Sequence, residues 1–257
     1  LVLQYAEALR SKGILETFQG KLKEGLNDLN ESVSIYKKLN MDLDVAKVLV
    51  EVGWANRRLG YFDETEKAYT RALDILQGEG NAILSANILN NLGVLQYLLG
   101  QHERAVQTLD KALQYAKIAS YPRMEGYTLN SLGDLYRDLR SFQQARAAYD
   151  QAWEVIRVIQ DKSLEMYQYL SIAALERMEG NFGASIENLE KAKQATTDEK
   201  SAYELALFEL ESAIIHLRQG DLDENGVKLK TSLRLFEEEG HRLEADKARF
   251  ILLMLLS

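Results

Sequence analysis

Apolar residues recur along this chain at helical spacing, and the pattern is clearest between Ala86 and Tyr115. Leu89, Leu92 and Gly93 share one helical face, at spacings of three and one. Gly100 interrupts the pattern. Ala105, Leu109 and Ala112 resume it at spacings of four and three, again on a single face. Two amphipathic helices joined by a tight glycine turn predict a helix hairpin.

The hairpin repeats. Gly20, Gly60, Gly100, Arg140, Gly180 and Gly220 stand forty positions apart. Seven residues before each turn come Gly13, Gly53, Gly93, Gly133, Ala173 and Ala213. Five after it come Gly25, Thr65, Ala105, Ala145, Ser185 and Asn225. Nine after it come Leu29, Tyr69, Leu109, Tyr149, Leu189 and Leu229, and twelve after it Ser32, Ala72, Ala112, Ala152, Ala192 and Ser232. Six units in register at one period mark a repeat array, and the drift at its ends suits terminal repeats. The small residues predict close helix–helix contact, because a larger side chain there would force the helices apart. Leu109 and Tyr149 are expected to fill the space between hairpins. A lone hairpin cannot bury its apolar face, so each unit needs neighbours.

Loop chemistry separates the units, at Asn40-Met41-Asp42, Gly78-Glu79-Gly80, Ser120-Tyr121-Pro122, Gln160-Asp161-Lys162, Thr197-Asp198-Glu199 and Glu239-Gly240-His241. The helices between them should run about 15–19 residues, roughly 22–28 Å at 1.5 Å per residue. No segment alternates as a half-buried strand would. The expected fold is all-α: a right-handed superhelical α-solenoid of six hairpins plus the first helix of a seventh. It forms a single domain, 1–257, with repeats at about 6–40, 46–80, 86–120, 126–160, 166–200 and 206–240 and a partial unit at 243–257. The run Phe250–Leu256 is apolar on nearly every side and expects cover from both flanks. The chain therefore reads as a fragment of a longer protein, with 243–257 a surface for self-association.

Composition narrows the chemistry. Apolar residues make up 46%, enough for a core, and the single proline, Pro122, suits long helices. A net charge of −8 disfavours general nucleic-acid binding, which needs clustered Lys and Arg. The absence of cysteine excludes disulfides, thiolate metal sites and thiol nucleophiles, and agrees with a cytoplasmic protein. The longest apolar run, Phe250–Leu256, is far too short to span a bilayer.

The small, aromatic and turn positions together resemble the tetratricopeptide repeat over essentially the whole chain. Leu89, Leu92, Gly93, Ala105, Leu109 and Ala112 fall on that family's defining positions, as do Leu129, Leu132, Gly133, Tyr136, Ala145, Tyr149 and Ala152. The period of forty exceeds the usual 34 and also suits HEAT or armadillo arrays. The glycine and alanine signature and the single proline favour the tetratricopeptide reading. Within the superfamily, the longer repeat resembles the sensor region of large bacterial ATP-dependent transcriptional activators of the maltose-regulon or LuxR type, the peptide-sensing bacterial regulators, and the kinesin light chain. Residues 132–139, Leu-Gly-Asp-Leu-Tyr-Arg-Asp-Leu, look most like the bacterial activators.

That resemblance implies a concave surface lined by the first helix of each hairpin. Four positions of that helix, spaced three, four and three, share one face. They place Arg57, Arg137 and Arg177 in one row with Tyr97, Asn90 and Asn130 in a second, Asn87, Tyr127 and Tyr167 in a third, and Trp54 and Asp134 in a fourth. Arg offers bidentate bonds to carboxylates. Asn carries a donor and an acceptor for a peptide backbone. Tyr and Trp add rigid contact area. The same residues also read as an ordinary solvated helix face. The paired Lys and Asn of a chaperone tail clamp have no clear match.

Catalysis is not expected. His102, His216 and His241 lie on different repeats, and His102 stands where the family has a turn-packing aromatic. Asp134 and Asp138 share a helix face among arginines, which points to ion pairing, and Glu237-Glu238-Glu239 reads as a solvated helix end. No phosphate loop, serine elbow or paired-histidine metal motif is present. The expected function is a non-catalytic interaction domain without cofactor or metal: the sensor and interaction region of a bacterial signal-transducing transcriptional regulator. The alternative is a free-standing scaffold or peptide-binding adaptor that assembles a complex. A protein or peptide, with acidic groups for the Arg row, is the expected partner. A small-molecule inducer also fits; direct nucleic-acid contact and membrane contact do not.

Overall fold

The structure, a computed structural model, describes residues 1–77, 80–195, 202–217 and 222–256. Gly78-Glu79, Thr197-Asp198-Glu199, Gly220 and the Asn225 side chain lie outside the described residues. Within them the chain is all-α, with thirteen helices and no strand. The helices are α1 (Val2–Phe18), α2 (Leu22–Lys38), α3 (Asp42–Leu59), α4 (Phe62–Leu76), α5 (Ala82–Leu98), α6 (His102–Ile118), α7 (Pro122–Asp138), α8 (Phe142–Ile159), α9 (Lys162–Glu179), α10 (Phe182–Ala195), α11 (Ala202–Leu217), α12 (Leu222–Glu238) and α13 (Arg242–Leu256). Odd and even helices pair as antiparallel hairpins from α1·α2 to α11·α12.

The period of forty in the side chains is a period of twenty in the backbone. Left-handed residues recur at Gly20, Asn40, Gly60, Gly80, Gly100, Ser120, Arg140, Gln160, Gly180 and Gly240. At each end the chain closes the helix by bonding back to its last turn. The Gly100 N–H donates to the Tyr97 carbonyl at 3.0 Å and the Gln101 N–H to the Gln96 carbonyl at 2.8 Å. Arg140 and Ser141 do the same onto Arg137 and Tyr136, at 2.9 and 2.8 Å. These bonds satisfy carbonyls that a helix C-terminus leaves orphaned. Glycine adopts φ of +74° at position 100 without a Cβ clash, whereas Arg140 holds φ of +59° against a steric cost of about 1–2 kcal/mol.

Close approach holds each hairpin. A Cβ built on Gly93 would lie 2.6 Å from Leu109 Cγ, and one on Gly133 would lie 2.2 Å from Tyr149 Cε1. Leu109 and Tyr149 are fully buried and seat over the glycine of their own hairpin. Tyr149 also packs with Leu175 and Ile172 of α9, and so fills the space toward the next hairpin as expected. The missing Cβ opens a hole the size of a side chain, and the nearest large residue on the facing helix fills it. Where Ala173 replaces glycine, the Ser185 hydroxyl reaches across and donates to the Ala173 carbonyl at 2.7 Å.

The chain divides into two compact units. The first comprises Leu1–Ala119 and Glu239–Arg242. Its core includes Leu29, Val33, Tyr36, Val48, Tyr69, Ile88 and Leu95. In the 239–242 turn His241 is buried, 8% exposed. Burial first, then the Arg58 and Arg57 charges, push its pKa down to about 3. The second unit comprises Ser120–Glu238 and Leu243–Ser257. It is filled by Met166, Leu170, Ala173, Leu189 and Ile215, and by Ala206, Leu210, Ala213, Leu229, Phe236, Ala245 and Ala248. Ala245 and Ala248 seat α13, whose Phe250, Leu253 and Met254 are exposed.

Two outcomes follow from the packing. Gly93→Ala should lower stability by about 1–3 kcal/mol through overpacking. Gly226→Ala, where a Cβ meets open space within α12, should raise it by about 0.5–1 kcal/mol. Thermal melts of the pair check both signs. The buried His241 sets a pH dependence. An unfolded histidine takes up a proton below about 6.5, which native His241 refuses until about 3. Its contribution to stability is therefore complete above pH 6.5 and declines as pH falls below that value. Melting temperatures at pH 7 and pH 5 should differ less in His241→Gln than in the parent.

Candidate ligand-binding groove

The twenty-residue spacing brings equivalent positions of the odd helices side by side. In the second unit, α7 packs on α9 and α9 on α11. Along α7, Tyr127, Asn130, Ser131, Asp134, Arg137 and Asp138 fall at spacings of three, one, three, three and one, and so share a face. Forty residues on, α9 presents Tyr167, Leu170, Ser171, Ala174, Arg177 and Met178 in the same register. Leu207, Leu210 and Glu211 continue the rows on α11, joined by Tyr203, and α13 contributes Lys247. Together they line a groove of about 510 Å³, within the range of ligand sites.

Six of the residues expected from the sequence meet here: Tyr127, Asn130, Asp134, Arg137, Tyr167 and Arg177. The arginines are engaged by carboxylates of the chain itself. Arg137 Nη1 donates to Asp134 Oδ1 at 2.6 Å, and its Nε to Asp138 Oδ1 at 2.8 Å. The Tyr149 hydroxyl, rising from its seat over Gly133, donates to the same Asp134 oxygen at 2.8 Å. Burial works against the Arg137 charge, but Asp134, Tyr149 and Asp138 outweigh it and raise its pKa well above the usual arginine value. Arg177 Nε donates to Glu211 Oε1 at 3.0 Å, with both side chains at least four-fifths buried. The Arg row expected to receive a ligand's acidic groups is thus internally neutralised.

Aromatic and amide groups complete the surface. The Tyr127 and Tyr167 rings lie 6.4 Å apart, and Tyr203 meets Phe236 edge-on at 5.9 Å. The Arg123 guanidinium stands 5.7 Å from the Tyr127 ring, and its Nε pairs with Asp161 at 2.8 Å. Burial raises the pKa of both Tyr127 and Tyr167, reinforced at Tyr167 by Tyr203 and Glu204, so both phenols stay neutral donors. Asn130 donates through Nδ2 to Ser171 Oγ at 3.2 Å. Its Oδ1 has no hydrogen-bond partner among the described residues, although the side chain is only 9% exposed.

The other five expected residues belong to the first unit and line no part of this groove. Trp54 stacks on Phe18 at 5.3 Å and lies 4.7 Å from the Arg58 guanidinium, one residue beyond Arg57. Asn87 accepts from Asn91 Nδ2 at 2.9 Å, Asn90 is buried, and Tyr97 stands 6.4 Å from the His102 ring. His216 bonds through Nδ1 to the Ser212 carbonyl at 2.7 Å. Among the described residues no group of three or more His, Asp or Glu converges as a metal site.

The sequence reading passed over Tyr203, Ser171, Glu211 and Lys247 as site residues. Ser131, Ser171 and Glu211 form one register column, directly after the column that holds Asn130. A groove wall wider than four positions would have included them. Lys247 stands forty residues after Leu207 in the column of Asn87, Tyr127 and Tyr167, so extending that row into the partial unit would have included it.

Residues 44–118 of the first unit and 126–159 of the second match models of the tetratricopeptide repeat. No curated protein matches the chain in sequence. Among solved structures, the Rap conjugation gene regulator of plasmid pLS20 in complex with the Phr* peptide is similar with a TM-score of 0.73 and 18% identity, over 95% of this chain and 65% of that one. A Rap protein complexed with competence and sporulation factor follows at 0.71 and 14%, over 96% and 73%. Aspartyl phosphate phosphatase F from Bacillus subtilis is similar at 0.69 and 11%, over 91% and 60%. At these identities the likeness shows a shared fold.

The buried pairing at Arg137 has a measurable consequence. Arg137→Ala leaves Asp134 without its closest cation, and should destabilise the protein by about 1–3 kcal/mol. A solvated arginine would lose within about 0.5 kcal/mol. Urea titration distinguishes the two.

Proposed function

We propose that this chain is a non-catalytic interaction module that binds a peptide in the groove of its second unit. On this reading it is the sensor and interaction region of a cytoplasmic bacterial signal-transducing transcriptional regulator. The observation that carries it is the groove itself: three tyrosines, neutralised arginines, and a buried Asn130 with an unused acceptor. A peptide backbone supplies N–H donors for such an acceptor, and its side chains supply apolar area for the rings. The fold shared with the Rap conjugation gene regulator bound to the Phr* peptide supports the same reading. No helix among the described residues is long and apolar enough to cross a membrane.

A second reading, a scaffold that assembles other proteins, is favoured by the exposed Phe250, Leu253 and Met254 on α13. Selection from a random peptide library on the immobilised chain separates the two. Peptides recovered in this way should lose at least tenfold in affinity for a variant carrying Asn130→Ala and Tyr167→Leu, with helical content unchanged by circular dichroism. Parental affinity in that variant would move the site elsewhere.

A further inference from the structure

A further cavity lies in the first unit, on a different face of the odd helix from the one that lines the peptide groove. There α2 and α4 both pack on α3, and a cavity of about 520 Å³ opens between them. Leu49, Val52 and Asn56, at spacings of three and four on α3, share one face and line it, with Leu26 of α2 and Ala68 of α4 beside them. Asn56 is 6% exposed, yet its side chain makes no hydrogen bond among the described residues. Farther along α4, Arg71 is exposed and makes no hydrogen bond or ion pair among the described residues. Asp74, three residues on, forms no ion pair with it, and the neighbouring Lys67 is held by Glu64 at 2.7 Å. Burial first, then the Arg71 charge, lower the pKa of Lys37, so positive charge gathers at this end.

The repeat shows what this cavity lacks. In the second unit Arg146, Glu176 and Asn181 hold the positions of Leu26, Asn56 and Tyr61. Arg146 Nη1 donates to Glu176 Oε1 at 2.8 Å, and Asn181 Nδ2 donates to Glu176 Oε2 at 2.9 Å. The space between α8 and α10 is thus closed by the chain's own polar side chains. One repeat after the open cavity, Arg104 of α6 reaches Glu66 of α4 at 3.3 Å and spans the equivalent position. Between α2 and α4, leucine and tyrosine replace those partners, and the Asn56 amide keeps both its donor and its acceptor unused.

We infer that the cavity between α2 and α4 binds a small organic carboxylate with an apolar or aromatic body and a hydroxyl or carbonyl group at its far end. The carboxylate meets the forked donors of Arg71, where a bidentate pair is available. The body covers Leu26, Leu49 and Val52, and the far polar group satisfies the Asn56 amide, which is costly to leave buried and unpaired. Leu49 and Asn56 are two helical turns apart, so the site is roughly 10 Å long. Its volume falls within the range of small-molecule sites. The site is separate from the peptide groove and does not depend on that reading.

The chain is titrated, with ligand-observed NMR as the readout, against a set of aromatic and branched aliphatic carboxylates, each beside its primary amide. The set includes para-hydroxyphenylpropanoate and phenylpropanoate. Carboxylates should bind, and their amides should bind about tenfold more weakly or worse. Arg71→Ala, an exposed change, should remove that difference. Asn56→Ala should weaken para-hydroxyphenylpropanoate and leave phenylpropanoate unchanged. Leu26→Arg with Asn56→Glu copies the Arg146–Glu176 pair of the second unit, and should abolish binding with the melting temperature kept or raised. Tyr167→Leu, in the peptide groove, should leave carboxylate binding at the parental level. If no carboxylate binds, or if the Leu26→Arg, Asn56→Glu variant folds and binds like the parent, the proposal falls. If amides bind as well as acids and Arg71→Ala changes nothing, the carboxylate assignment is overturned.

Discussion

The seating of one large side chain over a missing Cβ sets the geometry of every well-formed hairpin. Leu109 on Gly93 and Tyr149 on Gly133 bring two helices to a distance that no larger residue permits. Because each described reversal after α1 to α9 occurs every twenty residues through a single left-handed residue, the same register returns on successive odd helices. Rows of side chains become rows of neighbours in space. The groove of the second unit is a direct product of this repetition, since its walls are the same six columns read on α7 and α9.

The hairpin seat and the groove also share a residue. Tyr149 fills the hole over Gly133 and extends its hydroxyl to Asp134, which in turn holds Arg137. Core packing thus fixes the rotamers at the groove floor. The equivalent hydroxyl in the first unit, on Tyr69, is buried without a hydrogen-bond partner among the described residues, because Trp54 stands where Asp134 does. Burial, opposed by the Arg57 charge and helped by Glu51, raises the Tyr69 pKa to about 12, whereas at Tyr149 burial is joined by the Asp134 charge. One substitution in the repeat converts a closed aromatic contact into a polar network. Such networks hold position well when fully satisfied.

Pairing within the groove changes what it can recognise. Arg137 and Arg177 already have carboxylate partners at 2.6–3.0 Å. A ligand carboxylate would have to displace Asp134 or Glu211, leaving a poorly solvated anion behind, a loss that the new contact would have to offset. Specificity is left to the rings and to Asn130.

The fold was legible because packing depends on residue size at fixed intervals, and size is visible in a sequence. Glycine or alanine at 13, 53, 93, 133, 173 and 213 announced the hairpins, and the thirteen helices follow that register. The backbone period of twenty was half hidden, because Asn40, Ser120, Arg140 and Gln160 hold the left-handed turn without glycine. The site was legible in part. Six expected residues converge because register alone aligns them, while Tyr203 and Glu211 stand outside the four expected rows and Lys247 continues one of them into α13. By itself the sequence determined the hairpin, its period and which columns share a face, since these follow from helical spacing and steric size. The ion pairing of Asp134 and Asp138 with a neighbouring arginine was legible from their shared helix face, but only the tertiary structure decided that Glu211 neutralises Arg177. That pair depends on a distance of 3.0 Å between side chains of different hairpins, and spacing along the chain carries no such information.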